Sequence, residues 1–188
     1  MSSSSAVRDA WNAHQGHNER VRPVAELNAL SGPDFGVALR PLFEAADPLA
    51  RALYAQRPFA SYDDLLGRAE RIAQRLPPAE QIQVLNAHPR IGERPEAVSA
   101  LSYREQGYDS EARLPSGELR RVYADLAELN EAYERQFGFR FVVFVNKRPK
   151  SAILDVLRQR LDNAREVELQ TGLRELFLIA RDRYAAST

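Results

Sequence analysis

From Val24 onward, apolar side chains recur at helical spacing along most of the chain. Ser31 and Asp34 precede Phe35, Val37, Ala38, Leu39, Leu42 and Phe43, a capped start followed by one apolar face. Pro41 falls inside that pattern, so it kinks or restarts the helix. Ser61 and Asp64 open a second amphipathic helix carrying Leu65, Leu66, Ala69, Ile72, Ala73 and Leu76 on one side. Pro77-Pro78 ends it and starts the next, which runs through Ile82, Val84 and Leu85 to His88-Pro89. Residues 88–98 and 107–117 read as loops, with a short helix between them capped by Ser99. Ser116 begins a long helix with Leu119, Val122, Tyr123, Leu126, Leu129 and Tyr133 in one stripe, stopped by Gly138. Two more helices are expected at about 150–162 and 164–185.

Phe139 to Val145 is the one β-like run, and it has no second strand to pair with. It is expected as a buried extended connection, near 139–145, whose backbone groups find partners outside a sheet. The fold class that follows is all-α: a single-domain bundle of about eight helices with this one extended segment.

Residues 1–22 are polar and Ser-rich, and are expected to form a mobile N-terminal extension ahead of a single helical domain over 23–188. The chain of 188 residues suits one domain. Twenty-six Lys and Arg balance twenty-six Asp and Glu, which argues against nucleic acid or a membrane surface as partner. No stretch approaches the roughly 18 apolar residues of a membrane span, and no basic-then-apolar secretory pattern opens the chain. The cytoplasm is the expected location.

The chain has no Cys, which excludes thiolate catalysis and disulfides. With His88 the only His outside the N-terminal extension, a transition-metal cluster is not expected either. No Gly-rich phosphate loop or nucleophile elbow occurs. His88 lies where a helix meets a loop and titrates near neutrality, so it can exchange a proton. A His there also suits a helix C-terminus for purely structural reasons. Ser102 to Glu105 fits a capping box, and Arg181 and Arg183 fit a solvated helix end. The amides of 139–145 are candidates for holding a polar ring.

Several runs then carry a resemblance: Leu27-Asn28-Ala29-Leu30-Ser31, Arg57-Pro58-Phe59-Ala60-Ser61, Ala87-His88-Pro89-Arg90-Ile91-Gly92 and Leu101-Ser102-x-x-Glu105-Gln106. They continue with Asn130-x-x-Tyr133-x-x-x-Phe137-Gly138-Phe139-x-Phe141-Val142 and Ile179-Ala180-x-x-Arg183. In this order they resemble the 2-oxo-4-hydroxy-4-carboxy-5-ureidoimidazoline (OHCU) decarboxylase family of urate breakdown, over about Leu27 to Tyr184. The resemblance implies an all-helical enzyme without cofactor, usually a homodimer, that releases CO2 from a small ureidoimidazoline substrate to give (S)-allantoin. It implies His88, Glu105 and Arg183 as catalytic residues, with Arg181 the less favoured Arg. It implies substrate contacts from Pro89, from Ser102, Tyr103, Arg104, Glu105 and Gln106, and from Phe141, Val142, Val143, Phe144 and Val145. Arg140 departs from the Pro found in many members and either enters the pocket or points outward. Gly107-Tyr108-Asp109 departs from a more usual Ala-Gly-Leu. A helical interaction module without catalysis, and a hydrolase or isomerase of a related ureido compound, stay open as alternatives.

Overall fold

The computed structural model describes residues 21–93, 98–108 and 116–187. Among them, ten helices follow one another: α1 Val24–Ala29, α2 Gly32–Ala38, α3 Arg40–Phe43, α4 Asp47–Tyr54, α5 Tyr62–Ala73, α6 Pro78–Asn86, α7 Ala100–Glu105, α8 Ser116–Phe137, α9 Lys150–Arg160 and α10 Arg165–Ser187. The architecture is all-α, as expected. Most of the predicted N-terminal extension (1–20), and the loop segments 94–97 and 109–115, lie outside the described residues. Val21 packs against the core, and Tyr62 donates a 2.6 Å hydrogen bond to the Arg22 carbonyl.

The helix count exceeds eight for two local reasons. Pro41, in the first turn of α3, separates α2 from a single-turn α3. Helix α4 begins at Asp47-Pro48 with Ala46 at its N-cap, and no capping side chain announces it. The caps that were legible form as expected. Ser31 and Ser61 accept from the backbone N–H groups of Asp34 and Asp64, and Ser99 accepts from that of Ser102. Val37 departs from its expected apolar face and is 40% exposed.

Helix α10 is the spine. It packs against α3, α5 and α6, while α8 and α9 pair beside it. At Gly172 the α10 backbone comes close to α6, where a Cβ would stand 3.0 Å from Leu85 Cδ1. Two of the family-like runs clasp each other. The Asn28 amide donates to the Phe59 carbonyl at 2.8 Å and accepts from the Phe59 N–H at 2.9 Å. Arg57 donates to the carbonyls of Asn28 and Leu30, both at 2.8 Å. These runs build the scaffold rather than the pocket.

The segment 139–145 is extended and, among the described residues, joins no strand. Side chains supply several of its partners. Arg140 N–H donates to Asn86 Oδ1 at 2.9 Å, and Phe144 N–H to Glu175 Oε2 at 2.7 Å. Arg160 donates to the Val142 carbonyl at 2.8 Å and lies over the Phe141 ring. Arg160 is itself held by Glu168, which is fully buried and also accepts from Tyr133 and Asn163. A buried, fully engaged carboxylate thus anchors the guanidinium that anchors the segment.

Candidate active site

His88 follows the end of α6, its N–H still bonded to the Leu85 carbonyl at 3.1 Å. The chain then turns through Pro89 to Gly92. Gly92 adopts φ 76°, and a Cβ there would lie 2.9 Å from Leu126 Cδ1, so only glycine suits this turn. Asn130 of α8 donates to the Ile91 carbonyl at 3.0 Å, and Gln106 accepts from the Gly92 N–H at 3.1 Å. Arg140 donates to the His88 carbonyl at 2.7 Å. The residue that replaces Pro therefore clamps the His88 backbone, and its charge sits close to the imidazole.

The His88 side chain is buried, and neither ring nitrogen has a hydrogen-bond partner among the described residues. Burial, reinforced by the charges of Arg183 and Arg140, pushes its pKa down to about 3, with Glu44 opposing. The imidazole is neutral at physiological pH, with one N–H and one lone pair left over. Orphaned buried polar groups are rare and cost about 1–3 kcal/mol each. Both lie beside an open space that a polar group can enter.

A space of about 20 Å³ lies beside the ring, lined by His88, Pro89, Ser102, Glu105, Gln106, Phe141, Val142 and Val143, with Ile91 and Ile179. It has room for about one water molecule. An adjoining pocket of about 460 Å³ is lined by Arg104, Glu105, Phe144, Lys147, Asp182 and Arg183 among others. Glu105 lines both. Burial raises its carboxyl to about 7, against the lowering effect of Arg183 and a 3.4 Å hydrogen bond from Val145 N–H.

The expected residues divide accordingly. His88, Pro89, Ser102, Glu105, Gln106 and Phe141 to Val143 meet at the small space. Phe144 and Arg104 face the larger pocket, and Val145 contributes its N–H to Glu105. Tyr103 lines neither, because its ring stacks on Tyr108. Glu105 makes no hydrogen bond to His88 among the described residues, since both imidazole nitrogens are unpartnered. Ser102 is not a helix cap: Ser99 takes that place, and the Ser102 hydroxyl donates to Glu44 at 2.9 Å. The amides of Phe141, Val142 and Val143 have no protein partner among the described residues.

Arg183 and Arg181 separate cleanly. Arg183 is 4% exposed and donates to Glu44 at 2.9 Å and to Ser102 at 2.8 Å. Arg181 is exposed and pairs with Glu70 at 3.1 Å on the surface. Arg181→Ala is expected to leave turnover at the wild-type value and shift unfolding by no more than about 1 kcal/mol. Steady-state rates and urea titration check this, and a large rate loss would move the functional arginine to Arg181.

Glu44, just after α3, went unremarked in the sequence. Its one carboxylate oxygen accepts from Ser99, Ser102 and Arg183, each at 2.9 Å. Burial raises its pKa, but Arg183 and the serine hydroxyls outweigh that and hold the carboxyl below its ordinary value. Its backbone sits at φ 53°, ψ −146°, a region costly for any residue with a side chain.

A helical bundle that buries a neutral histidine beside a protonatable carboxyl and an arginine has the equipment of an acid–base enzyme acting on a small polar molecule. Residues 28–185 match the family model described as OHCU decarboxylase. The 2-oxo-4-hydroxy-4-carboxy-5-ureidoimidazoline decarboxylase of Haloferax volcanii is 33% identical, over 86% of this chain and 94% of the relative. The chain belongs to the OHCU decarboxylase family, whose members are carboxy-lyases of urate degradation. A crystal structure of OHCU decarboxylase in the presence of (S)-allantoin superposes with a TM-score of 0.61 at 21% identity, covering 78% of this chain and 94% of that one. A crystal structure of (S)-allantoin synthase gives the same TM-score and identity over 88% of this chain, which spans about half of that protein (54%). These likenesses show the shared helical fold.

Proposed function

We propose that this chain decarboxylates 2-oxo-4-hydroxy-4-carboxy-5-ureidoimidazoline to (S)-allantoin, with His88, Glu105 and Arg183 as its working residues. The observation that carries the reading is the neutral, buried His88 with two unpartnered nitrogens, at a space lined by Ser102, Glu105, Gln106 and the run 141–143.

The chemistry divides as follows. As CO2 leaves the carbon that bears the hydroxyl, the bonding pair enters the ring. The adjoining C=N pair moves onto nitrogen, which takes a proton. The hydroxyl of the resulting enol loses its proton to become the carbonyl, and the neighbouring carbon gains one on a single face. The carboxylate departs as neutral CO2, so the net reaction takes up one proton. His88, neutral with a free lone pair, accepts the hydroxyl proton and returns it to carbon. Glu105, half protonated near pH 7, supplies the proton to the ring nitrogen. An amide from the 141–143 run holds the ring oxygen and Arg183 fixes the pose. The space at His88 holds only about one water, so the Glu105 side chain, which lines both pockets, moves aside when substrate enters. The chain acts in the cytoplasm as a homodimer, the assembly usual in its family, and light scattering of the purified protein tests the dimer.

The pH profile tests the roles. Glu105 has a raised pKa, so it is protonated below about 7 and ionised above it. His88, with its pKa near 3, stays neutral throughout. The expected kcat/KM profile is flat from pH 5 to about 7 and then falls about tenfold per unit. Glu105→Gln lowers kcat and removes that fall. A rate that climbs above pH 7 would contradict Glu105 as the donor.

A further inference from the structure

We propose that Glu44 is a positioning residue that neutralises Arg183 and fixes it to Ser102, so that the pocket does not grip the carboxylate that must leave. The inference rests on the functional reading above for its catalytic meaning. The geometry is specific. One Glu44 oxygen receives the guanidinium of α10 and the hydroxyls of Ser99 and Ser102, joining the turn after α3, the cap of α7 and the end of α10 at one point. Arg183 spends NH1 on Glu44 and NH2 on Ser102, and its buried Nε alone has no partner. The guanidinium keeps Nε–H and one Nη2 hydrogen, but its charge is already balanced by Glu44.

That restraint has chemical value. A guanidinium without its counter-charge beside His88 would bind the substrate carboxylate more tightly. Binding the ground-state anion more tightly than the transition state, in which its charge moves into the ring, slows CO2 loss. The backbone supports a role beyond packing. A glutamate sits at φ 53°, ψ −146°, where glycine would sit without strain.

The test compares wild type with Glu44→Gln, which keeps the shape and removes the charge, and Glu44→Gly, which also relieves the strained backbone. Both kcat and KM for OHCU are measured, along with the shift in melting temperature produced by acetate. Expected in both variants is a fall of about tenfold or more in kcat together with a fall in KM. Acetate is expected to raise their melting temperatures while leaving wild type unmoved, because the ligand now binds an uncompensated arginine. A merely structural role would lower kcat with KM unchanged or raised and leave acetate without effect, and that result overturns the proposal. Wild-type rates in both variants overturn it equally. If wild type itself fails to accelerate OHCU loss, the functional reading falls. The acetate shift then decides the charge-balancing role alone: present in the variants it stands, absent it fails.

Discussion

Replacing His88 with Asn is expected to remove about 100- to 10,000-fold of the catalysed rate while leaving the helical circular dichroism intact. The expectation follows from the isolation of the imidazole. No protein group among the described residues bonds to either nitrogen, so the fold has little structural use for the ring's polarity. Asn offers an amide in similar space and cannot carry a proton to and fro. The variant is also expected to resist acid better. In wild type the unfolded His88 binds a proton near pH 6.5 and the folded one only near 3. Between those values the unfolded state holds more protons, and stability drops as pH falls. Asn removes that slope. Near-wild-type turnover in His88→Asn would end the assignment of His88 as the proton carrier.

The second large effect is on stability. Glu168→Ala is expected to cost about 3–5 kcal/mol, read from urea unfolding, because it leaves the buried Arg160 guanidinium without its counter-charge. The same change removes the acceptor for the Tyr133 hydroxyl and the Asn163 amide. Arg160 is what fastens the Val142 carbonyl, so the loss also loosens a segment that lines the site. A raised KM should therefore accompany the lost stability. A cost below about 1 kcal/mol would mean that Arg160 finds other partners and the anchor is dispensable.

Much of this architecture was legible in short-range chemistry. Ser31, Ser61 and Ser99 announced their helices because a cap acts within three residues. The run 139–145 announced its own problem, a strand without a partner, and the structure answers it in part with Asn86, Glu105, Arg160 and Glu175 from four different elements, leaving the amides of 141–143 without a protein partner among the described residues. What stayed hidden were features set at long range or by the backbone. Helix α4 starts from Ala46 and Asp47-Pro48 without a capping side chain. Glu44 resembles an ordinary surface acid between Phe43 and Ala45, and its arginine lies 139 residues away. Its one local sign, an unfavourable φ, is not written in side-chain type. Tyr103 sits inside a family-like run but turns to stack on Tyr108, since neighbouring residues of a helix face different ways. His88, Glu105 and Arg183 were carried by the resemblance. The structure sets them around two adjoining spaces, with Glu105 lining both and no hydrogen bond from it to His88 among the described residues.

The most direct measurement is the circular dichroism of the allantoin formed when urate is treated with urate oxidase and hydroxyisourate hydrolase, with and without this protein. Protonation on one face at His88 predicts a rapid rise of optically active (S)-allantoin only when the protein is present. An optically silent product at an unaccelerated rate would contradict the account.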